Sequence, residues 1–416
     1  MRLSLLAGAL LAGSACALPA ATNLVPTSAP PRSFSLVKRA DNSTSSYPPP
    51  SQDPFYQPPS GFASQSNGAV LKSRNVSTEF DQLSKAYQLL YRTTDAQGKA
   101  DATVTTVFVP LKPLSPPRVM LYLTPADTAA EDCQTSWSFV SPASNATSSS
   151  AELEVLIALQ KGWYVTVPDH EGSKAAFISG VTEAKAGLDG LRALNNFRTA
   201  FADKRGWKAV IRGYSGGGHA AAWATTYLRQ YGAGLPVVGA SFGGVPVDIY
   251  YTMDLLSGSA NNYLAFSAIA GLANAEPTLN AWLQRNLTPN GTAAVAFARN
   301  NSQCYDSGVT PYPYKNADIY GFFRSGEASL HQGIPAQVVS RNKLGTAQSG
   351  EVTGTLPSSV PVFMFHGKTD ETVSYGPIKP YYLDQCSRGA HIHLSTTSGT
   401  SHTETFLYYL ADSYVF

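Results

Sequence analysis

Gly213-Tyr214-Ser215-Gly216-Gly217 stands between an apolar run, Ala209-Val210-Ile211, and an Ala-rich segment from Ala220 to Tyr227. That order reads as strand, sharp turn, helix. A turn this tight forces its central residue into a strained backbone conformation and lifts the serine out of the sheet edge. Glycines two before and two after it let the neighbouring backbone pass without a Cβ clash. A Gly-rich helix entry with a capping serine would use the same letters, and glycine is common here, 34 of 416 residues. The strand before, the helix after and the partners found downstream favour a nucleophile elbow with Ser215 at its tip.

Working outward, Ala86–Arg92 and Val104–Val109 alternate around Asp95-Ala96-Gln97-Gly98 and predict an antiparallel hairpin. Strand and helix signals then alternate: strand Val119–Leu123, helix Glu152–Gln160, strand Trp163–Val167, helix Glu183–Phe201, the elbow strand, and strand Val237–Ala240. Such alternation implies right-handed βαβ units and a parallel sheet covered on both faces. With the elbow it predicts an α/β-hydrolase fold, a mostly parallel central sheet with helices on both faces. Roughly a hundred residues then separate Ala240 from the next strong strand, Val360–Phe365, where a crossover needs about a dozen or more. The excess carries helical tracts, Tyr263–Ala273, Leu279–Leu287, Ala293–Ala298 and Ile319–Phe323. It is read as an inserted helical cap over 246–345, with extra core helices as the bland alternative. The hydrolase core is expected over 63–245 and 346–416, closing with strand Ile392–Leu394 and a helix over Thr405–Val415.

Residues 1–17 read as a secretory signal, with Arg2, an apolar stretch from Leu5 to Leu11, and Ala15-Cys16-Ala17 as the small-residue cleavage site. That apolar run is too short for a membrane span. A pro-segment is expected over 18–39, ending at Lys38-Arg39, and an extended Pro/Ser/Tyr-rich arm over 40–62. Six glycosylation sequons, at Asn42, Asn75, Asn145, Asn286, Asn290 and Asn300, agree with secretion. Charged residues are only 14% and the net charge is +2, so nucleic acid is not an expected partner. Subtracting Cys16 with the signal leaves Cys133, Cys304 and Cys386, which implies one disulfide and one thiol over. Arithmetic does not choose the pair.

A serine becomes a nucleophile near neutral pH when a histidine takes its proton and a carboxylate orients that histidine. In this fold the partners follow in the order Ser, Asp or Glu, His. Asp370 lies in the loop His366-Gly367-Lys368-Thr369-Asp370-Glu371 after the strand Pro361–Phe365. Asp248 is the main rival acid, and Glu371 and Asp384 are weaker ones. His391 and His393 alternate along the last strand as ordinary strand residues. His402 follows it in Ser398-Gly399-Thr400-Ser401-His402, where a flexible catalytic loop is expected. His219, on the elbow helix, reads as a packing residue. The oxyanion needs two backbone donors: one from Gly216, the other from the loop Leu123–Thr128. The expected catalytic set is therefore Ser215, Asp370 and His402, with no metal and no organic cofactor.

With these residues the chain resembles the fungal secretory lipase family of α/β-hydrolases, the Candida-type and lipase-A-type enzymes. The likeness runs from about Asp53 to the C-terminus. Its pieces come in family order: Asp53-Pro54-Phe55-Tyr56; Asp127-Thr128 with Cys133-Gln134-Thr135-Ser136; Pro168-Asp169-His170-Glu171-Gly172; Gly187–Ala193; the elbow; Phe242-Gly243-Gly244-Val245-Pro246; His366-Gly367 with Asp370-Glu371; and Cys386 with Gly389-Ala390. The resemblance implies the same triad, the Asp127 backbone as second oxyanion donor, and a disulfide between Cys133 and Cys304. It implies that Asp169 and Glu171 hold loops near the pocket. Two departures stand out: Ser374 takes the place of a family proline, and the chain ends soon after His402, where lipase-A-type members carry a flap.

The expected function is a secreted serine carboxylic-ester hydrolase acting through an acyl-enzyme. The family-level substrate is triacylglycerol or another lipid ester at a lipid–water interface. The runner-up is a short-chain esterase or deacetylase of a small ester, to which the missing flap points. A serine peptidase and a non-catalytic binding protein are further alternatives.

Overall fold

The computed structural model describes residues 47–78, 80, 83–141, 149–302, 304, 312–347 and 353–414. The expected signal, the pro-segment, Asn42 and Asn145 lie outside them. The strands are β1 (Val70–Val76), β2 (Leu83–Thr94), β3 (Ala100–Pro110), β4 (Arg118–Leu123), β5 (Tyr164–Pro168), β6 (Lys208–Tyr214), β7 (Val237–Gly243), β8 (Val362–Gly367) and β9 (Ile392–Thr397). They form one sheet in the order β1-β2-β3-β5-β4-β6-β7-β8-β9. The first three pairings are antiparallel. Every pairing from β5 to β9 is parallel. The β2–β3 hairpin turns at Asp95, whose Oδ1 accepts the N–H groups of Gln97 and Lys99.

The helices are α1 (Thr135–Ser138), α2 (Ser149–Gln160), α3 (Gly180–Asn196), α4 (Gly216–Tyr227), α5 (Ile249–Leu256), α6 (Tyr263–Ala275), α7 (Pro277–Asn286), α8 (Pro289–Ala298), α9 (Gly333–Arg341), α10 (Ile378–Ser387) and α11 (His402–Tyr409). The central parallel strands bury both faces, as strands between helix layers must, whereas the edge strand β9 is mostly half-buried. On β4, Val119, Leu121 and Leu123 join the core beneath α3 and α4, while Met120 and Tyr122 join a second core with Val155 and Leu159 of α2. Helices α5 to α9 fall between β7 and β8. They collect their own apolar cluster, which includes Met253, Phe266, Leu283, Phe322 and Val338. Leu344 N–H bonds Val247 O at 3.0 Å and Lys343 pairs with Asp248 at 2.7 Å, so the two ends of the insertion meet at the sheet.

Cys133 is bonded to Cys304, with Cα atoms 5.2 Å apart, across a sequence separation of 171 residues. The expected leftover thiol is corrected: Cys386 is itself disulfide-bonded, and no described cysteine is free. Among the sequons, Asn75, Asn290 and Asn300 are exposed, while Asn286 is half-buried with its Nδ2 donating to Trp282 O. Some boundaries move too. The long helix stops at Asn196 instead of Phe201, and the last helix begins at His402.

Candidate active site

Ser215 directly follows β6 and caps α4 with φ 58° and ψ −129°, a conformation that L-residues rarely hold. Two glycines make that turn possible by close approach. A Cβ on Gly213 would lie 2.0 Å from Gly217 O, and one on Gly217 would lie 2.1 Å from Leu123 O. The second contact also matters for chemistry, because it presses the start of α4 against the carboxyl end of β4 and the loop carrying Asp127. Gly216 N–H, at the first position of α4, has no intrahelical acceptor. Asp127 takes a left-handed φ of 52° beside it, and a Cβ on Gly216 would lie 1.9 Å from its Oδ1. The two expected oxyanion residues are thus neighbours at the serine.

The acid loop leaves β8 and the base follows β9, parallel strands in direct register. His402 Nε2 lies 2.9 Å from Ser215 Oγ, and His402 Nδ1 lies 2.7 Å from Asp370 Oδ2. Asp370 Oδ1 accepts the N–H groups of Thr372 and Val373 at 2.9 and 2.8 Å. Burial alone would raise the pKa of Asp370. The hydrogen bond and positive field of His402, with help from His366 and the Val373 N–H, outweigh it and hold the carboxyl below its ordinary value. The structure therefore brings together Ser215, His402, Asp370, Gly216 and Asp127. His402 does not lie in a flexible loop, as expected, but is the first residue of α11, fixed by a capping box between Ser401 and Glu404.

The rival acids are occupied elsewhere. Asp248 caps α5 through Tyr250 N–H and pairs with Lys343, and Asp384 pairs with Arg388. His219 is fully buried, with Nδ1 2.7 Å from Glu183 and Nε2 accepting Trp223 N–H. Asp169 accepts Ser136 N–H and Oγ–H, while Glu171 accepts Thr128 N–H, so both hold loops around the site.

The roles of four residues escaped the sequence reading. Tyr214 donates its hydroxyl to His402 O at 2.6 Å and lays its ring 4.8 Å from the imidazole. Gly244 has φ 56° and leaves room for the base, since a Cβ there would lie 2.9 Å from His402 Cε1. Phe177 and Ile178 come from a loop without periodicity, and Ile178 is buried at φ 63° with its N–H held by Glu183 at 2.8 Å. The last two line a narrow pocket of about 40 Å³, together with Ser215, Asp127, Met253, Leu264 and Ala268. A larger hollow, lined by Arg229, Leu235, Pro357 and Arg388, lies at the opposite, amino-terminal ends of β7 and β8.

Burial pushes the carboxyls of Asp127 and Asp169 up to about 7. A raised folded-state pKa means stability that is fully present below the unfolded value, near 4, and lost as pH rises through 7. Asp169→Asn is therefore expected to gain stability relative to the parent between pH 5 and pH 8, by roughly 2–3 kcal/mol. Urea unfolding of both chains at the two pH values checks this, and an advantage of Asp169→Asn over the parent that is larger at pH 5 than at pH 8 contradicts it.

The secretory lipase family model matches residues 138–409. The chain belongs to the secretory lipase family. This member is 34% identical to lipase A of Moesziomyces aphidis, over 92% of this chain and 82% of that one. It is 30% identical to a secreted triacylglycerol lipase of Malassezia globosa, over 86% of this chain and 78% of the relative. The crystal structure of Candida antarctica lipase A in its closed state superposes with a TM-score of 0.79 at 32% identity, covering 88% and 85% of the two chains. A rice cell wall degrading esterase from Xanthomonas oryzae, at 15% identity and a TM-score of 0.64, shares the fold. This secretory lipase is thus an α/β-hydrolase related to carboxylic ester hydrolases, and among its described residues no helix is long and apolar enough to cross a membrane.

Proposed function

We propose that the chain is a secreted triacylglycerol lipase that works through an acyl-enzyme on Ser215. The observation that carries this is the unbroken line from Asp370 through His402 to Ser215 at the mouth of an apolar pocket. Ser215 Oγ attacks the ester carbonyl while His402 Nε2 takes its proton. The carbonyl π pair moves onto oxygen, which is met by the N–H groups of Gly216 and Asp127. Collapse expels the alcohol, which takes the proton from His402. Water, deprotonated by the same base, then releases the acid and restores Ser215. Asp370 keeps the proton of His402 on Nδ1 and stabilises the imidazolium. Oxyanion stabilisation asks for donors already in place, and a left-handed Asp127 beside the N-terminus of α4 supplies that pre-organisation.

The helices between β7 and β8 act as the cap. Ile249, Met253 and Leu256 of α5, with Leu264, Ala265 and Ala268 of α6, roof the pocket and leave Ser215 only 8% exposed. The disulfide ties this insertion, at Cys304, to the segment just after the Asp127 loop. Walls this apolar suit a hydrocarbon acyl chain, worth about 0.8 kcal/mol per buried methylene. They favour lipid esters over small acetylated ones, and the relatives named as secreted triacylglycerol lipases support the same choice. The signal-like start and the sequons support export.

Rates on p-nitrophenyl esters from acetate to palmitate and on emulsified triolein test the substrate. Hydrolysis of triolein and faster turnover of medium and long chains than of acetate are expected. Ala268→Phe fills the pocket and is expected to lower palmitate turnover relative to acetate by roughly tenfold, the scale of one or two poorly seated methylenes. Acetate as the best ester together with inertness toward triolein would instead mark a small-ester esterase.

A further inference from the structure

We propose that Glu371 is a positioning residue that fixes the main chain of the base, as Asp370 fixes its ring. The inference rests on the reading of His402 as general base. Glu371 Oε2 accepts the His402 N–H at 2.9 Å. That N–H is the first of α11 and has no acceptor within the helix. Ser401 already serves the third N–H of α11 through its bond to Glu404 N, and Glu404 returns to Ser401 N. Adjacent carboxylates of one loop thus hold one histidine at two points, Asp370 at Nδ1 and Glu371 at N. Tyr214 holds the carbonyl of the same residue.

The grip has a mechanical reason. The segment joining β9 to α11 contains Gly399 at φ 74°, and a Cβ there would meet nothing within 4 Å. Packing at Gly399 itself therefore gives no restraint, and the connection is held by polar contacts, as where Thr400 O accepts the Thr369 hydroxyl of the acid loop at 2.9 Å. Glu371 is exposed, so its bond counts by placement more than by burial energy. The loop is braced from the cap side as well. Asn261, between α5 and α6, donates to Thr372 Oγ1 at 3.1 Å, and that hydroxyl faces Glu371 Oε1 at 3.5 Å. Proton transfer from Ser215 depends on sub-ångström placement of His402, and a shift of about 1 Å can cost ~10²-fold in rate.

The test is a set of kinetic measurements with p-nitrophenyl butyrate on Glu371→Ala, Glu371→Gln, His402→Ala and the Glu371→Ala/His402→Ala double variant, each with its thermal midpoint. Glu371→Ala is expected to lower kcat by roughly 10- to 100-fold with KM little changed. Glu371→Gln keeps an acceptor oxygen and should recover most of that loss. In the His402→Ala background, Glu371→Ala should cost nothing more, because its whole effect passes through the histidine. Wild-type kcat in Glu371→Ala, a glutamine variant as slow as the alanine one, or a further loss in the double variant would each overturn the proposal. An active His402→Ala would instead sink the base assignment on which it stands.

Discussion

Ser215→Ala is expected to lower kcat by roughly 10⁴-fold or more, with the fold intact. The size follows from what the hydroxyl does: without it no acyl-enzyme forms, and only binding and the oxyanion donors remain. The fold should survive because the strain at φ 58° belongs to the backbone and is held by glycine contacts and by the Ser215 N–H bond to Gly243 O at 2.9 Å, none of which involves Oγ. His402→Ala is expected to be as severe. It removes the base and leaves Asp370 buried without its main partner, so some stability goes with it. Rates on a soluble ester, paired with thermal midpoints, separate loss of chemistry from loss of fold.

Asp370→Asn carries the second large effect, on the order of 10⁴-fold in kcat. An amide at that position can donate to Nδ1, which would leave the proton on Nε2 and turn His402 from acceptor to donor toward Ser215. The loop geometry should survive, because Asn Oδ1 can still accept from Thr372 and Val373 N–H. Asp248→Asn is the control. Its carboxylate serves Lys343 and the N-terminus of α5, so the change should loosen the insertion and leave the chemical step nearly untouched. A small loss in Asp370→Asn beside a large one in Asp248→Asn would assign the acid wrongly.

Much of this site was legible because α/β topology converts chain order into space. The elbow declared itself through the strand and helix around it, and Asp370 through its place after the apolar run of β8. His402 could be chosen over His391 and His393 because it follows the last strand, whereas His393 lies within it, stacked 5.7 Å from Phe363. The antiparallel edge was half legible: the hairpin alternates, but β1, with the polar run Lys-Ser-Arg-Asn in its middle, carries no clear hydrophobic period. Phe177 and Ile178 gave no signal, since a left-handed β-branched residue is set by tertiary contacts such as the Glu183 bond and not by local preference. Glu371 looked like a spare acid because sequence order cannot distinguish a carboxylate that meets a ring from one that meets a backbone N–H. His366, read as the first residue of the acid loop, belongs instead to β8, and its bracing role gave no signal. It is buried with Nε2 3.0 Å from Val373 O, and burial pulls its pKa down to about 4, so it braces the acid loop as a neutral ring.

Intact-mass and peptide mapping after brief exposure to a fluorophosphonate lipid mimic tests the central claim most directly. The account predicts one adduct per chain, located at Ser215, formed quickly by the wild type, very slowly by His402→Ala and not at all by Ser215→Ala. Labelling at another residue, or labelling of Ser215 at the wild-type rate when His402 is absent, would contradict it.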